Sequence, residues 1–240
     1  MILDNPFKRI HRCKRLPFFY DGRTDDYVLD SDYISSPERH SIVRSLSMLI
    51  KDLQTVLDFI EPDDENLTVY SHRLYELFLR ASTEFESNCK GILLANAYHK
   101  ARGKMTIHDY RMLNEIMKLS DYQVQLNFWN SNKSISPLSE WAVGDIITWY
   151  KSYNSVKHNR YENFNLANLN NVIYAIASVV CIVYAQLGDY MLPNRLESVC
   201  DNDGRKHCGY MGFGIISPSF EEDEYNIMHK KKYDVRQYFK

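Results

Sequence analysis

Apolar residues recur at intervals of three and four from Ile42 through Leu46, Leu49, Ile50, Leu53, Val56 and Leu57 to Ile60, the spacing that lines one face of an α-helix. Ser35, Ser36, Pro37 and Glu38 stand just before this stripe. They supply a hydroxyl cap, a proline suited to the first turn and an acid for the positive helix end. The pattern predicts a helix from Ser36 to about Ile60, ended by Pro62, Asp63 and Asp64. A second stripe, Tyr70, Leu74, Leu77, Phe78, Ala81, Phe85, Cys89, Ile92 and Leu93, predicts a longer helix over roughly 68–101. The short acidic link between them makes the two an antiparallel pair.

Gly103 breaks the second helix, and Thr106 with Asp109 caps a short helix through Leu119 that buries Ile107, Tyr110, Leu113, Ile116 and Met117. The period then changes. Tyr122, Val124, Leu126 and Phe128 alternate with Gln123, Gln125 and Asn127, which reads as one extended strand or strap. A polar loop from Asn130 to Ser136 leads through Pro137 to a helix whose stripe is Ile146, Trp149, Tyr150, Tyr153 and Val156. After a link over 161–165, the segment from Leu166 to Leu187 is apolar nearly all round, as expected of a helix in the middle of a bundle. Its core, Val172 to Leu187, is shorter than the ~20 residues a bilayer needs, so no membrane span is expected. Beyond Gly188 turn residues dominate, and Tyr210 to Ile216 and Tyr225 to His229 are expected to pair as a small hairpin or lie as a strap against the helices.

These elements predict a mainly all-α fold. An antiparallel helical bundle over 36–188, with two long helices and a buried apolar C-terminal bundle helix, follows an irregular basic and aromatic arm over 1–35. A turn-rich appendage with short strands over 189–240 completes the chain.

Composition narrows the partners. A chain of 240 residues can bury a core without staples. A formal net charge of -2 excludes a surface that is one large nucleic-acid footprint but allows a local patch. Lys8, Arg9, Arg12, Lys14 and Arg15, with His11 among them, form such a patch and are expected to touch phosphates. Five cysteines, odd in number and widely spread, indicate reduced, buried thiols and a cytoplasmic location. Cys200, His207 and Cys208 near Asp201 and Asp203 raise the question of zinc, but no Cys-x-x-Cys pair sets two thiolates together. No metal or other cofactor is expected.

The densest chemistry is at Asn154, Lys157, His158 and Arg160, directly before the longest apolar segment. Asn154 and His158, four apart on a helix, fall together beside the apolar stripe, on a border expected to be half-buried. An imidazole can take up or release a proton near neutral pH, and partial burial beside Lys157 or Arg160 is expected to favour its neutral, basic form. His158 has a structural use as well, as a cap for the last carbonyls of its helix, with Lys157 and Arg160 answering the negative helix end. On the second helix, Arg80 with Glu84 and Glu86 with Lys90 are expected to be surface ion pairs.

Two long antiparallel helices, a helix ending in a polar motif and a final apolar helix resemble the HEPN superfamily of all-α domains over about 36–187. The most specific part is Tyr153-Asn154-Ser155-Val156-Lys157-His158. It is similar to the Arg-Asn-x-x-x-His motif of nuclease members, with Asn154 and His158 in place and Tyr153 where the arginine stands. In that family two such motifs meet at a homodimer interface and cut RNA without metal. The resemblance therefore implies RNA as ligand, a homodimer or partner protein, and a metal-independent endoribonuclease of a defence or toxin–antitoxin type. His158 would be its general acid–base, with Asn154 beside it, and Lys157 or Arg160 would supply the charge that Tyr153 lacks. The string Tyr-Asn-x-Val-Lys-His-Asn-Arg also resembles that of uncharacterised bacterial HEPN-like proteins, which implies an alternative: a catalytically silent helical interaction or dimerisation module. There, Asn154 and His158 would bond the loop from Asn130 to Trp141, and Lys157 and Arg160 would hold a carboxylate such as Glu84.

Overall fold

The computed structural model describes residues 2–3, 8–12, 36–131, 133–191, 199–200, 206–220 and 233–234. The first stripe forms α1, Pro37–Leu57, with Pro37 in its first turn and the Ser36 hydroxyl accepting from the Arg39 amide at 3.2 Å. After a 3-10 turn at Asp64–Asn66, α2 spans His72–Ala95, capped by the Ser71 hydroxyl. It stops well before residue 101. The Asn96 carboxamide donates to the Ile92 carbonyl at 2.8 Å, and Ala97 turns left-handed, so the helix is closed before Gly103 is reached. Ser45 of α1 donates to Glu84 of α2, and Asp52 of α1 pairs with Arg80 of α2. Later residues of one helix thus meet earlier residues of the other, and the pair is antiparallel.

The short helix is split in two, α3 at Ile107–Tyr110 and α4 at Met112–Met117, and opens with the Thr106–Asp109 capping box. Downstream lie α5, Thr148–His158, α6, Arg160–Asn163, and α7, Leu169–Leu187. The Leu169 amide donates to the Val69 carbonyl just ahead of α2, and near the other ends Gln186 donates to Asn88 at 2.9 Å. α7 therefore runs parallel to α2. It also packs on α1 and α5, with buried residues on every side, including Val172, Ile176, Val179, Val180 and Val183. By length and composition α7 could cross a membrane, but 89% of its most apolar window is buried inside this fold.

Strands complete the framework. β1, Ile2–Leu3, pairs with β7, Tyr233–Asp234. The alternating stretch becomes β2, Gln123–Leu126, which joins β3, Ser134–Ile135, β4, Val199–Cys200, β5, Lys206–Tyr210, and β6, Phe213–Ile216, in an antiparallel sheet of order β3-β2-β6-β5-β4. Val124 faces Ile135 on one side and Ile215 on the other. β5 and β6 are a hairpin turning at Met211 and Gly212, both at positive φ, the backbone that matches strand twist in a two-residue turn. The sheet ties the C-terminal segment to the middle of the chain, and β6 packs on α7. Tyr225 to His229 lie outside the described residues. The fold is mainly helical with a small antiparallel sheet.

Candidate nucleic-acid interface

Groups from outside α5 fix both of its ends. At the start, Glu140 of the turn Ser139–Val143 accepts from the Thr148 amide at 3.0 and 3.1 Å, and from the Thr148 hydroxyl. Trp149, Tyr150, Tyr153 and Val156 then face the core, as their spacing predicts. At the far end the Asn163 carboxamide folds back to donate to the carbonyls of Asn159 at 2.9 Å and Ser155 at 3.4 Å. This is the capping work expected of His158. With Asn163 performing it, the His158 imidazole stands exposed, and no group among the described residues is bonded to it. The expected half-buried border therefore holds for Asn154 but not for His158, because the apolar stripe ends at Val156 and the chain leaves the body there.

The flanking cations each lie over a ring. The Lys157 ammonium is 5.1 Å from the centre of Tyr153 and the Arg160 guanidinium 5.5 Å from that of Tyr75, both within cation–π range. Tyr153 is only 3% exposed. The Tyr153 hydroxyl raises the ammonium's pKa against desolvation, and the charge of Glu86 acts in the same direction.

Glu86 sits below. It accepts from the Tyr150 hydroxyl at 2.7 Å and from Lys90 at 2.9 Å. Burial alone would push this carboxyl up, but bonds from Lys90 and Tyr150, with the charges of Lys90 and Lys157, hold it below its ordinary range. Glu86 and Lys90 are thus a half-buried pair tied to α5, not the surface pair expected. The Arg80–Glu84 pair does not form. Arg80 turns to Asp52 on α1, while Glu84 is taken by Ser45 on α1 and by Asn88 on the next turn of α2.

Aromatic rings continue the surface. Phe164 lies 4.8 Å from His72, 5.5 Å from Tyr70 and 6.0 Å from Tyr75, centre to centre. Tyr70 is 51% exposed and Tyr161, next to Arg160, is 96% exposed. The segment 157–164 therefore carries cations that can hold phosphates, rings on which bases can stack and an exposed imidazole that can move a proton. Tyr75, Phe164 and Asn163 are the members that sequence reasoning missed. Asn163 left a signal, since it falls one helical turn after Asn159; Phe164 left none.

The basic arm is elsewhere and does different work. Arg9 and Arg12 are buried: Arg9 donates to Gln186 at 2.8 and 3.0 Å and pairs with Glu38 at 2.7 Å, and Arg12 donates to the Ile116 carbonyl. These guanidinium groups anchor the arm to the bundle. Helix rise places Gln186 and its partner Asn88 roughly 20 Å along α2 from Tyr75. Lys8 is exposed, while Lys14 and Arg15 lie outside the described residues. Of the residues that raised the question of zinc, His207 and Cys208 lie on β5, and Asp201 and Asp203 are outside the described residues. No family model, curated protein or solved structure matches this chain, so the site is interpreted from its own chemistry.

Proposed function

We propose that the chain is an HEPN-like protein that binds RNA on the exposed end of α5 and cleaves it without metal, in a cytoplasmic defence or toxin–antitoxin setting. The observation that carries this reading is His158, solvent-exposed and unbonded between two cations that are each laid over a tyrosine ring. An imidazole in that setting takes the proton of a ribose 2′-hydroxyl as the oxygen attacks phosphorus, or gives a proton to the departing 5′-oxygen. Either role contributes roughly 10²–10⁴-fold. One imidazole performs one of the two transfers, and a second copy of the chain would bring the other. Arg160 supplies charge to the phosphate in place of the arginine that Tyr153 replaces, while Lys157 is more closely tied to Tyr153 and Glu86.

The second reading, a catalytically silent interaction or dimerisation module, is favoured by the burial of Tyr153, which leaves the motif's usual cation position inside the core. The test is incubation with a mixed RNA pool, with and without chelator. Cleavage that survives chelator, is abolished in His158→Ala and falls at least ~10-fold in Arg160→Ala fits the ribonuclease reading. Wild-type rates in His158→Ala would remove that residue from the mechanism. Stable self-association without cleavage or RNA binding would establish the silent module.

A further inference from the structure

A cavity of about 410 Å³ opens between β3, the turn that carries Glu140 and the first turns of α5 and α7. Helix rise places its Thr148 wall roughly 15 Å from His158, at the opposite end of α5. Its volume is in the range of small-molecule sites. Among the described residues the lining is polar, with Ser136, Glu140, Asn170, Asn171 and Tyr174 beside Trp149, and includes no lysine or arginine. Among these residues Glu140 contributes the only charge, and it is negative.

The hydrogen-bonding groups define what fits. Among the described residues the Glu140 carboxylate is bonded to Thr148 alone, and a carboxylate offers about four lone-pair sites, so it retains acceptor capacity. The Asn171 amide nitrogen donates to the Leu166 carbonyl at 2.8 Å, which leaves its oxygen as an acceptor. Among the described residues no partner holds the Asn170 carboxamide, which can donate and accept at once. Two acceptors and one two-sided amide suit a planar, uncharged ligand with its own amino group. A phosphate would meet Glu140 without a cation to offset it.

We propose that this cavity takes a nucleobase carrying an exocyclic amino group, paired to Asn170 and Glu140 as such groups pair with amides and carboxylates elsewhere. The identity of the ligand rests on the RNA reading in one respect: the base belongs either to a strand whose phosphates cross Arg160 or to a free nucleoside.

Equilibrium binding at fixed salt tests both. The probes are labelled oligo-adenylate and oligo-uridylate, together with free adenosine, inosine and ribose, against wild type, Asn170→Leu, Ser136→Phe and Arg160→Ala, each checked for an unchanged melt. Oligo-adenylate is expected to bind at least ~10-fold more tightly than oligo-uridylate. Asn170→Leu, or Ser136→Phe, which fills the cavity from its rim, should abolish that preference while leaving salt-dependent binding. Arg160→Ala should weaken both oligonucleotides alike. Equal affinity for the two oligonucleotides, or a preference untouched by both cavity variants, would overturn the base pocket and leave the RNA reading standing. If adenosine binds ahead of inosine and ribose through Asn170 while neither oligonucleotide binds, the pocket holds and the RNA reading falls. Ribose binding as tightly as adenosine would sink the base assignment.

Discussion

At the scale of single residues, Glu86 joins two helices through one carboxylate, since it takes bonds from Lys90 on its own helix and Tyr150 on α5 and feels the charge of Lys157, also on α5. Its folded pKa is below its ordinary 4.5, so its contribution to stability is full above that value and is lost as the pH falls through the folded value. Asp109 behaves likewise. Burial opposes its ionisation, but bonds from Lys100, Tyr98 and the Thr106 amide and hydroxyl carry it well below 3.8. Melting midpoints measured from pH 7 to pH 2 should therefore decline in the acid range, and Glu86→Gln should flatten the first part of that decline. The same variant should cost about 1–3 kcal/mol at neutral pH, because buried partners are left without their charge. An unchanged acid limb in Glu86→Gln would assign the decline to other carboxylates. The spacing of Glu86 and Lys90 is visible in the sequence, but Tyr150 is 64 positions away and only packing brings its hydroxyl to the pair.

At the scale of elements, the break between α5 and α6 decides what the motif can do. Asn163 satisfies the carbonyls of Ser155 and Asn159, and the Asn159 side chain in turn bonds Glu162, so side chains reinforce the backbone bonds from Asn159 to Ser155 and from Asn163 to Asn159 in the turn that carries Arg160. Asn163→Ala should cost about 0.5–1.5 kcal/mol and raise amide hydrogen exchange over 158–163 while leaving α7 protected. Equal protection in variant and wild type would show that the turn does not depend on this cap. The arm at 8–12 is a second such element. Arg9 rests where Gly91 has no Cβ, and a methyl group there would fall within the guanidinium. Gly91→Ala is expected to lift Arg9 from Gln186, so that limited proteolysis cuts sooner ahead of α1 while the helical body survives. Unaltered cleavage would mean that Arg9 swings aside without releasing the arm. The run of basic residues is plain in the sequence, but its role is not, because Gln186 and Glu38 lie 177 and 29 positions from Arg9.

At the scale of the whole molecule, α7 is the axis on which α1, α2, α5 and β6 converge. Cys89 of α2 and Cys181 of α7 are fully buried at that axis, and burial pushes both thiols up. Neither should react with thiol reagents under native conditions, and both should be labelled together as denaturant unfolds the chain, a comparison read by mass spectrometry of their two peptides. Labelling of Cys89 ahead of Cys181 would reveal that α2 opens before α7. The sequence by itself determined the helices and their inward faces. Three- and four-residue apolar spacing, Ser36 as a cap and the all-apolar run of α7 are local signals, and local backbone chemistry acts on them directly. It also marked Asn154, Lys157, His158 and Arg160 as the place where charge gathers. Only the tertiary structure decided that α7 runs parallel to α2, that β2 finds its partners in β6 and β3, that Arg9 and Arg12 turn inward, and that His158 stands exposed while Arg160 lies over Tyr75. Those outcomes depend on which distant surface offers a bonding partner or an apolar face, and residue spacing along the chain carries no record of that.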